Sequence, residues 1–129
     1  MIYFRRLFLS FRNAIRGIGV VINEEQSFRI QVIMAVFVVA AGFGFHVRAW
    51  EWIVLLLLIG VVLGLELLNS VLERLVDALK PRLHPVARDV KDMMAAVVFI
   101  ASFLSAMVGI SVFWPYVSAL VAHLGLRVY

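Results

Sequence analysis

The sequence predicts an all-α membrane protein, with one helix on the membrane surface and three helices that cross the bilayer. Hydrophobic residues make up 64% of the 129 residues, well above the roughly 45–50% of soluble domains. Three stretches approach the about 20 apolar residues that a membrane span needs. Charged residues are only 16% of the chain and gather at the ends of those stretches. This composition excludes a disordered chain and a conventional soluble enzyme, and the absence of cysteine excludes a disulfide-stapled domain.

The first predicted element is an amphipathic surface helix over residues 1–22. Its apolar side chains recur at helical spacing. The arginines on its opposite side are Arg5, Arg12 and Arg16. A basic amphipathic helix of this kind lies in the plane of the membrane interface. A helix that only anchors the chain is the simpler alternative, but it gives Arg6 and Ser10 no role.

Three membrane spans are predicted after the surface helix, over residues 28–47, 50–80 and 93–116. The second span continues as a helix beyond its apolar run, because no helix breaker occurs before Pro81. A polar stretch separates the second span from the third. Pro81 and Pro85 are expected to interrupt any helix in that stretch.

The distribution of charge predicts the orientation of these spans. Five arginines lie at or before Arg29, and five basic residues lie between Arg74 and Lys91. By the positive-inside rule both regions are cytoplasmic, and three spans then place the C-terminus outside. Ten of the twelve basic residues and seven of the eight acids fall on the cytoplasmic side, with Glu51 the exception among the acids. The expected outer aromatic belt consists of Trp50, Trp52, Trp114 and Tyr116.

The second span carries a polar face near its cytoplasmic end. Its residues are Glu66, Asn69, Glu73 and Asp77. Their spacing of 3, 4 and 4 residues places them within roughly an 80° arc of the helix. Three carboxylates on one stripe repel one another unless cations compensate. Oxygen ligands suit Mg²⁺, which commonly brings one or two carboxylates together with substrate phosphates.

Glu66 is the deepest of these acids. Counted from Trp50, it lies about 24 Å below the outer interface, near the inner boundary of the hydrocarbon. An ionisable residue at that depth is costly and is by default functional. The alternative is a carboxylate that only reaches the cytoplasm or pairs with Arg74 or Lys91.

The other two spans bring charged residues to the same membrane face. Glu24 and Glu25 precede the first span, and Lys91 and Asp92 precede the third. This convergence indicates a site for a metal ion and an anionic ligand at the cytoplasmic interface, but it names no reaction, and no P-loop motif is present. The third span also carries small residues that predict close helix packing, namely Ser102, Ser105, Ala106 and Gly109.

Residues 66–101 resemble the signature region of the small prokaryotic membrane kinases, the diacylglycerol kinase and undecaprenol kinase family. The family pattern E-x-x-N-S/T-x-x-E-x-x-x-D is followed by H-P/E-x-A and A-K-D. In this chain it is formed by Glu66, Asn69, Ser70, Glu73, Asp77, His84, Ala87, Lys91 and Asp92, with Val90 in place of the usual alanine. The segments SFRNAIRGI and SFRIQ around the acidic cluster also fit, so the resemblance extends to about Val112.

The resemblance implies ATP-dependent phosphorylation of a lipid hydroxyl by a homotrimer with active sites shared between subunits. Glu66 is then the general base, oriented by Asn69, and Mg²⁺ is held by Glu25 and Glu73. Glu25 is preferred to Glu24 because it lies three residues before Phe28. The implied ATP-binding residues are Asn13, Glu25, Glu73, His84, Lys91 and Asp92. The implied lipid-binding residues are Arg6, Ser10, Glu66 and Ser70.

Undecaprenol is the expected lipid and diacylglycerol the alternative. The SFRNAIRGI segment and the pairs Glu51-Trp52 and His84-Pro85 resemble the undecaprenol kinases more closely. We expect one lipid kinase domain over residues 1–129, in the bacterial inner membrane with a cytoplasmic active site and no nucleic-acid partner. A small proton-coupled transporter is a more distant alternative, because it needs a carboxylate near the midplane. A non-catalytic scaffold leaves the polar face unexplained.

Overall fold

A computed structural model of the protein describes residues 4–79 and 84–124, without the side chains of residues 84 and 85. The helices are α1 (Phe4–Glu24), α2 (Gln26–Phe45), α3 (Ala49–Leu79) and α4 (His84–His123). No strand occurs in this described part of the chain. Three helices are long and apolar enough to cross a membrane, over Gln26–Phe45, Ala49–Leu79 and Val86–His123. The predicted all-α fold with three apolar candidate spans is therefore confirmed.

Glu25 forms the corner between α1 and α2. Its backbone is extended, with φ −105° and ψ 114°, while its N–H still donates to the Val21 carbonyl at 2.8 Å. From the first turn of α2, the Arg29 guanidinium donates to the carbonyls of Ile22 and Asn23 at 3.5 and 3.2 Å. Carbonyls in the last turn of a helix lack intrahelical donors. Arg29 therefore fastens the end of α1 and fixes the corner that carries Glu25.

A three-residue turn joins α2 to α3. His46 adopts the left-handed conformation, with φ 54° and ψ 48°, and Val47 donates its N–H to the Gly42 carbonyl at 3.1 Å. This bond closes the C-terminus of α2 in the manner of glycine-type caps, although the residue here is histidine. The short connection makes α2 and α3 packed neighbours.

The start of α3 is held by a buried acid. Glu51 is only 5% exposed, and its Oε2 accepts the Arg48 backbone N–H at 2.7 Å. The same oxygen accepts the Tyr116 hydroxyl of α4 at 2.5 Å. The first of these bonds is half of a capping box, which satisfies an orphan donor at a helix start. The second ties α3 to α4, the pair of helices with the most extensive packing.

The hydrophobic core of the described chain lies beside this acid. It is a cluster of Val47, Leu55 and Val112, with flanking aromatic side chains from α2, α3 and α4. Gly42 of α2 packs directly under the Trp52 ring, and a Cβ on Gly42 would lie 2.8 Å from that ring. Only glycine permits this approach. We call this region, from Gly42 to Leu55 with the facing part of α4, the Glu51 end.

Two expectations about the aromatic residues and prolines need correction. Trp50 and Trp114 are exposed, as a membrane belt requires, whereas Trp52 and Tyr116 turn inward to contact Gly42 and Glu51. α4 begins at His84, ahead of the span predicted from residue 93, because a proline in the first helical turn has no N–H that the helix needs. Pro85 therefore starts this helix instead of interrupting it. Pro81 lies outside the described residues.

Candidate active site

The opposite end of α3 carries two buried polar residues. Glu66 is 5% exposed and Ser70 is 2% exposed. The Ser70 hydroxyl donates to the Glu66 main-chain carbonyl at 3.1 Å, one turn back along the helix. The Ser70 hydroxyl proton is therefore donated to the backbone. This hydrogen bond does not involve the Glu66 carboxylate.

Asn69 of the predicted polar face has one paired and one unpaired side-chain atom. Its Nδ2 donates to Glu73 Oε1 at 3.1 Å, across one turn of α3. Its Oδ1 is buried and has no hydrogen-bond partner among the described residues. Leaving a buried acceptor unpaired costs about 1–3 kcal/mol. Such an atom in a site that otherwise holds acids marks a place where a bound group can supply the missing contact.

Glu25, Glu66 and Glu73 converge at this end of the bundle. The charges of Glu25 and Glu73 both act on the Glu66 carboxylate. Glu25 comes from the corner between α1 and α2, whereas the other two come from α3. Like charges at close range are unfavourable unless a cation compensates them. We call this cluster, together with Asn69, the carboxylate end.

The two cations that the sequence offers to Glu66 bind other acids. Arg74 forms an ion pair with Glu24 at 2.8 Å, and Lys91 of α4 forms one with Asp77 at 2.8 Å. The first pair also gives the two neighbouring acids of the α1–α2 corner different partners. Glu24 is bound to Arg74, while the neighbouring acid acts on Glu66.

The predicted residues of α1 lie well back along that helix from the corner that carries Glu25. Arg6, Ser10 and Asn13 are exposed, and Ser10 donates its hydroxyl to the Arg6 carbonyl within α1. Asn13 lies 11 residues, or about 17 Å of helix, before the end of α1. Asp92 is exposed on α4 beside Lys91. The side chain of His84 lies outside the described part of the structure, so its predicted role is not tested.

The donor set at the carboxylate end suits a hard cation. Within the described residues, no group of three or more His, Cys, Asp or Glu side chains is arranged to hold a metal ion. Glu73 and Asn69, which are joined across one turn of α3, carry oxygen atoms of the kind that Mg²⁺ prefers, and that ion commonly takes further ligands from water and substrate phosphates.

Two polar contacts between helices escaped prediction from the sequence. Glu51 was expected only to be the one acid away from the cytoplasmic side, and it joins the start of α3 to Tyr116. Its position three residues after the helix cap was the available signal. Gln31 of α2 donates through Nε2 to the Ser102 hydroxyl of α4 at 3.1 Å, a pairing over 71 residues that no local pattern reveals.

Comparison with known proteins assigns the chain to a family. The sequence model of prokaryotic diacylglycerol kinase matches residues 12–113. The undecaprenol kinase of Bacillus subtilis is 36% identical over 110 residues, which cover 85% of this chain and 89% of that protein. The diacylglycerol kinase of Synechocystis sp. is 35% identical over 104 residues, covering 80% of this chain and 59% of that protein.

A third relative is more distant in sequence. The diacylglycerol kinase of Helicobacter pylori strain J99 is 29% identical over 114 residues, covering 88% of this chain and 82% of that protein. The family match extends from the middle of α1 to the second half of α4 and includes the whole carboxylate end. The chain therefore belongs to the prokaryotic diacylglycerol kinase family, and it is a lipid kinase.

Proposed function

We propose that this lipid kinase transfers the γ-phosphate of ATP to undecaprenol at the cytoplasmic face of the bacterial inner membrane, with Glu66 as general base. One observation carries the proposal. Glu66 is a buried carboxylate in the company of other acids, while Arg74 and Lys91 are bound elsewhere. From the count of residues after Trp50 we infer that it lies near headgroup depth, where a lipid hydroxyl is found.

Phosphoryl transfer requires the protein mainly to position the reactants and to accept one proton. Glu66 accepts the proton of the lipid hydroxyl as the hydroxyl oxygen attacks the γ-phosphorus of ATP. A bond forms between that oxygen and phosphorus, the bond from phosphorus to the bridging β–γ oxygen breaks, and ADP leaves. We assign to Asn69, one turn along from Glu66 and bonded to Glu73, the role of orienting the base or the nucleotide.

We further propose that Glu25 and Glu73 hold Mg²⁺, with Asn69 Oδ1 as a neutral oxygen nearby. Bound Mg²⁺ supplies neutralisation of the phosphate charge. Lys91 lies beside the same face of α3, because it forms an ion pair with Asp77, one turn after Glu73. The remaining proposed contacts to ATP come from Asn13, His84 and Asp92, and those to the lipid from Arg6, Ser10 and Ser70.

The choice of undecaprenol rests on the relatives. The Bacillus subtilis protein named undecaprenol kinase aligns over 89% of its own length, compared with 59% for the Synechocystis diacylglycerol kinase. Diacylglycerol is the second candidate, because relatives of that name also match most of this chain. Both lipids present a hydroxyl at the interface, so the same carboxylate serves either reaction.

We also propose a homotrimer whose active sites combine residues of neighbouring chains. The exposure of Asp92 in the single chain supports this arrangement, because it leaves that acid accessible to a neighbouring chain. Mixing two inactive variants, Glu66→Gln and Asp92→Asn, tests it directly. Shared sites predict that mixed oligomers regain part of the activity, whereas sites confined to one chain predict none.

The function is tested with purified protein in bilayers, γ-labelled ATP and Mg²⁺. Undecaprenol and diacylglycerol are offered separately and then in competition. We expect labelled undecaprenyl phosphate as the main product, with a higher kcat/KM than for diacylglycerol. Preference for diacylglycerol would reassign the substrate. The absence of labelled lipid with either substrate, from protein that is folded and inserted, would refute the proposal.

A further inference from the structure

An open space separates α2 from α4 along the middle of the bundle. It is an apolar groove of about 420 Å³, and α2, α3 and α4 all line it. Ala106 and Gly109 of α4 were predicted to pack closely against a helix, but within one chain they border this space. A Cβ built on Gly109 meets nothing within 4 Å. Side-chain packing therefore does not set the distance between α2 and α4 over this stretch.

Contacts at the two ends of this groove join α2 to α4. At the Glu51 end, the Phe45 ring lies 6.0 and 6.1 Å, centroid to centroid, from the rings of Phe113 and Tyr116. Towards the carboxylate end, Gln31 of α2 donates through Nε2 to the Ser102 hydroxyl of α4 at 3.1 Å. This is the one hydrogen bond between α2 and α4 in the part of the chain that the structure describes. The start of α2 is therefore tied to α4 by a single polar contact.

The bond between Gln31 and Ser102 restrains both the separation and the rotation of α2. Phe28, which is 3% exposed, buries the same side of α2 one turn earlier, but apolar contact has no preferred direction. A hydrogen bond weakens steeply when its angle or its length departs from the ideal. An amide among apolar side chains also finds few other partners. Gln31 therefore holds α2 to α4 at one distance and in one orientation.

Glu25 lies beyond this bond, at the N-cap of α2. Measured along the helix from the turn at His46, Gln31 is about 23 Å away and Glu25 about 32 Å away. A swing of α2 about that turn that displaces Gln31 by about 1 Å therefore displaces Glu25 by about 1.4 Å. The charge of Glu25 acts on Glu66 of α3. Such a swing thus changes the spacing of the acids in the carboxylate end.

We propose that Gln31, held by Ser102, is a positioning residue that keeps Glu25 at the distance from Glu73 at which both bind the divalent cation. The inference rests on the proposed function for the metal-binding role of these two acids. Gln31 itself touches neither the cation nor a substrate, and it acts through the placement of α2. The alternative is a bond that only satisfies two polar side chains, in which case its loss changes stability and leaves the metal site intact.

Ser102 allows a matched pair of variants. Threonine and valine have the same shape, and only threonine keeps a hydroxyl that can accept the Gln31 amide. Ser102 lines the groove, so open space is present beside it for the added methyl groups. Ser102→Thr and Ser102→Val therefore differ in this bond alone. Ser111→Ala is the control for loss of a hydroxyl from α4, because the Ser111 hydroxyl bonds to the Met107 carbonyl of its own helix.

Binding of Mn²⁺, as a probe for the Mg²⁺ site, provides a first test that needs no activity. The EPR signal of free Mn²⁺ measures binding to the protein in bilayers, with a non-hydrolysable ATP analogue and no lipid alcohol. Removing a group that holds a metal ligand in place weakens metal binding about 10–100-fold. We expect a rise in Kd of at least about tenfold in Ser102→Val and Gln31→Leu, and wild-type values in Ser102→Thr and Ser111→Ala. Wild-type affinity in Ser102→Val, or the same loss in Ser102→Thr or Ser111→Ala, would overturn the proposal.

The double variant Gln31→Leu with Ser102→Val separates positioning from stability. Replacing both partners of a hydrogen bond by apolar groups of similar shape is nearly neutral for folding. We expect a melting temperature close to that of the wild type, together with the same loss of Mn²⁺ affinity as in the single variants. Wild-type Mn²⁺ affinity in the folded double variant would reduce the bond to a structural role.

A second binding experiment asks whether Gln31 acts through Glu25. In Glu25→Gln the proposed ligand is already absent, so adding Ser102→Val should cause no further loss of Mn²⁺ affinity. An additional loss as large as in the wild-type background would show that the bond does not act through Glu25. Wild-type affinity in Glu25→Gln alone would refute the proposed metal site. Weak binding in Glu25→Gln beside wild-type binding in Ser102→Val would refute the positioning role alone.

Discussion

The two ends of the bundle each bury one glutamate of α3, and the two glutamates are equally hidden. Glu51 and Glu66 are both 5% exposed. Glu51 accepts a main-chain N–H and the Tyr116 hydroxyl, whereas Glu66 faces the charges of two further acids. The same residue type at the same burial is thus satisfied at one end and unsatisfied at the other. We propose that its partners, and not its burial, separate an acid that stabilises the fold from one that takes part in the reaction.

The surroundings of the two acids show the same contrast, since they are well packed at Glu51 and incompletely packed and paired at Glu66. Around Glu51 the packing is so close that a Cβ on Gly42 would strike Trp52. Around Glu66 there is an unpaired buried acceptor on Asn69 and an open groove one turn away. Local violations of good packing and pairing are expected where a protein binds and reacts. We infer that the Glu51 end stabilises the fold and that the carboxylate end performs the reaction.

Glu66→Gln should have the largest effect on activity. Removing a general base lowers kcat by about 10²–10⁴-fold, while the amide keeps the size of the side chain. ATP binding should survive, because Glu66 is assigned to the alcohol and not to the nucleotide. Steady-state transfer to undecaprenol and equilibrium binding of a fluorescent ATP analogue measure the two effects. Lost ATP binding would reassign Glu66 to the nucleotide.

Glu25→Gln and Glu73→Gln should weaken the metal site. Loss of a carboxylate ligand is expected to raise the Mg²⁺ concentration for half-maximal activity by about tenfold or more. Glu24→Gln is the matched control, because Glu24 is paired with Arg74. Titration of activity with Mg²⁺ at saturating lipid provides the measurement. An effect of Glu24→Gln as large as that of Glu25→Gln would move the ligand to the neighbouring acid.

Glu51→Gln should lower the stability of the protein and leave kcat unchanged, in contrast to Glu66→Gln. The amide can keep only part of the bonding to the Arg48 N–H and Tyr116, so the melting temperature should fall by several degrees. At temperatures where the variant is folded, kcat should equal that of the wild type. Tyr116→Phe should lower the melting temperature as well, and the double variant should lose less than the sum of the two. Full additivity would show that the two side chains act independently.

Gly42→Ala tests the close packing at the Glu51 end. The added methyl group would lie 2.8 Å from the Trp52 ring, and overpacking of this kind costs about 1–3 kcal/mol. Gly44→Ala is the control, since a Cβ there meets nothing within 4 Å. Unfolding in mild detergent with increasing denaturant compares the two variants. Equal stability of both would show that Trp52 moves aside at no cost.

The ion pair between Glu24 and Arg74 should have the smallest effect. Both side chains are substantially exposed, at 60% and 44%, and exposed pairs contribute about 0.2–1 kcal/mol. Arg74→Glu should slightly lower stability and slightly raise the Mg²⁺ requirement, because the corner carrying Glu25 loosens. The charge-reversed double variant Glu24→Arg with Arg74→Glu should restore both. If the double variant did not recover, the ion pair between Glu24 and Arg74 would have no part in positioning Glu25.

The helices were predictable because apolar length is a local property of the sequence. A span of about 20 apolar residues has few alternatives in a membrane protein, and the helices follow the expected order. The start of α4 was misjudged because proline was treated as a breaker, although its ring fits the first turn. Arg88, Lys91 and Asp92 then continue the helix as a polar extension of an apolar span.

The predicted polar face shows which features of a site can be predicted from the spacing of residues along a helix. Helical periodicity placed Asn69 and Glu73 on one side of α3, and they are joined by a hydrogen bond. Periodicity could not show that Arg74 pairs with Glu24 and leaves Glu66 to other acids. It also could not reveal the Tyr116 bond to Glu51, because these residues are 65 positions apart. Contacts between helices depend on helix rotation and depth, which a single sequence does not specify.

The most direct test of the central claim is the rate of phosphate transfer in a single turnover. Glu66→Gln, Glu51→Gln and wild-type protein are loaded with Mg²⁺ and labelled ATP in bilayers that contain undecaprenol, and the reaction is stopped at short times. The account predicts a transfer rate at least about 10²-fold lower in Glu66→Gln and an unchanged rate in Glu51→Gln. A wild-type rate in Glu66→Gln, or the same loss in both variants, would contradict it.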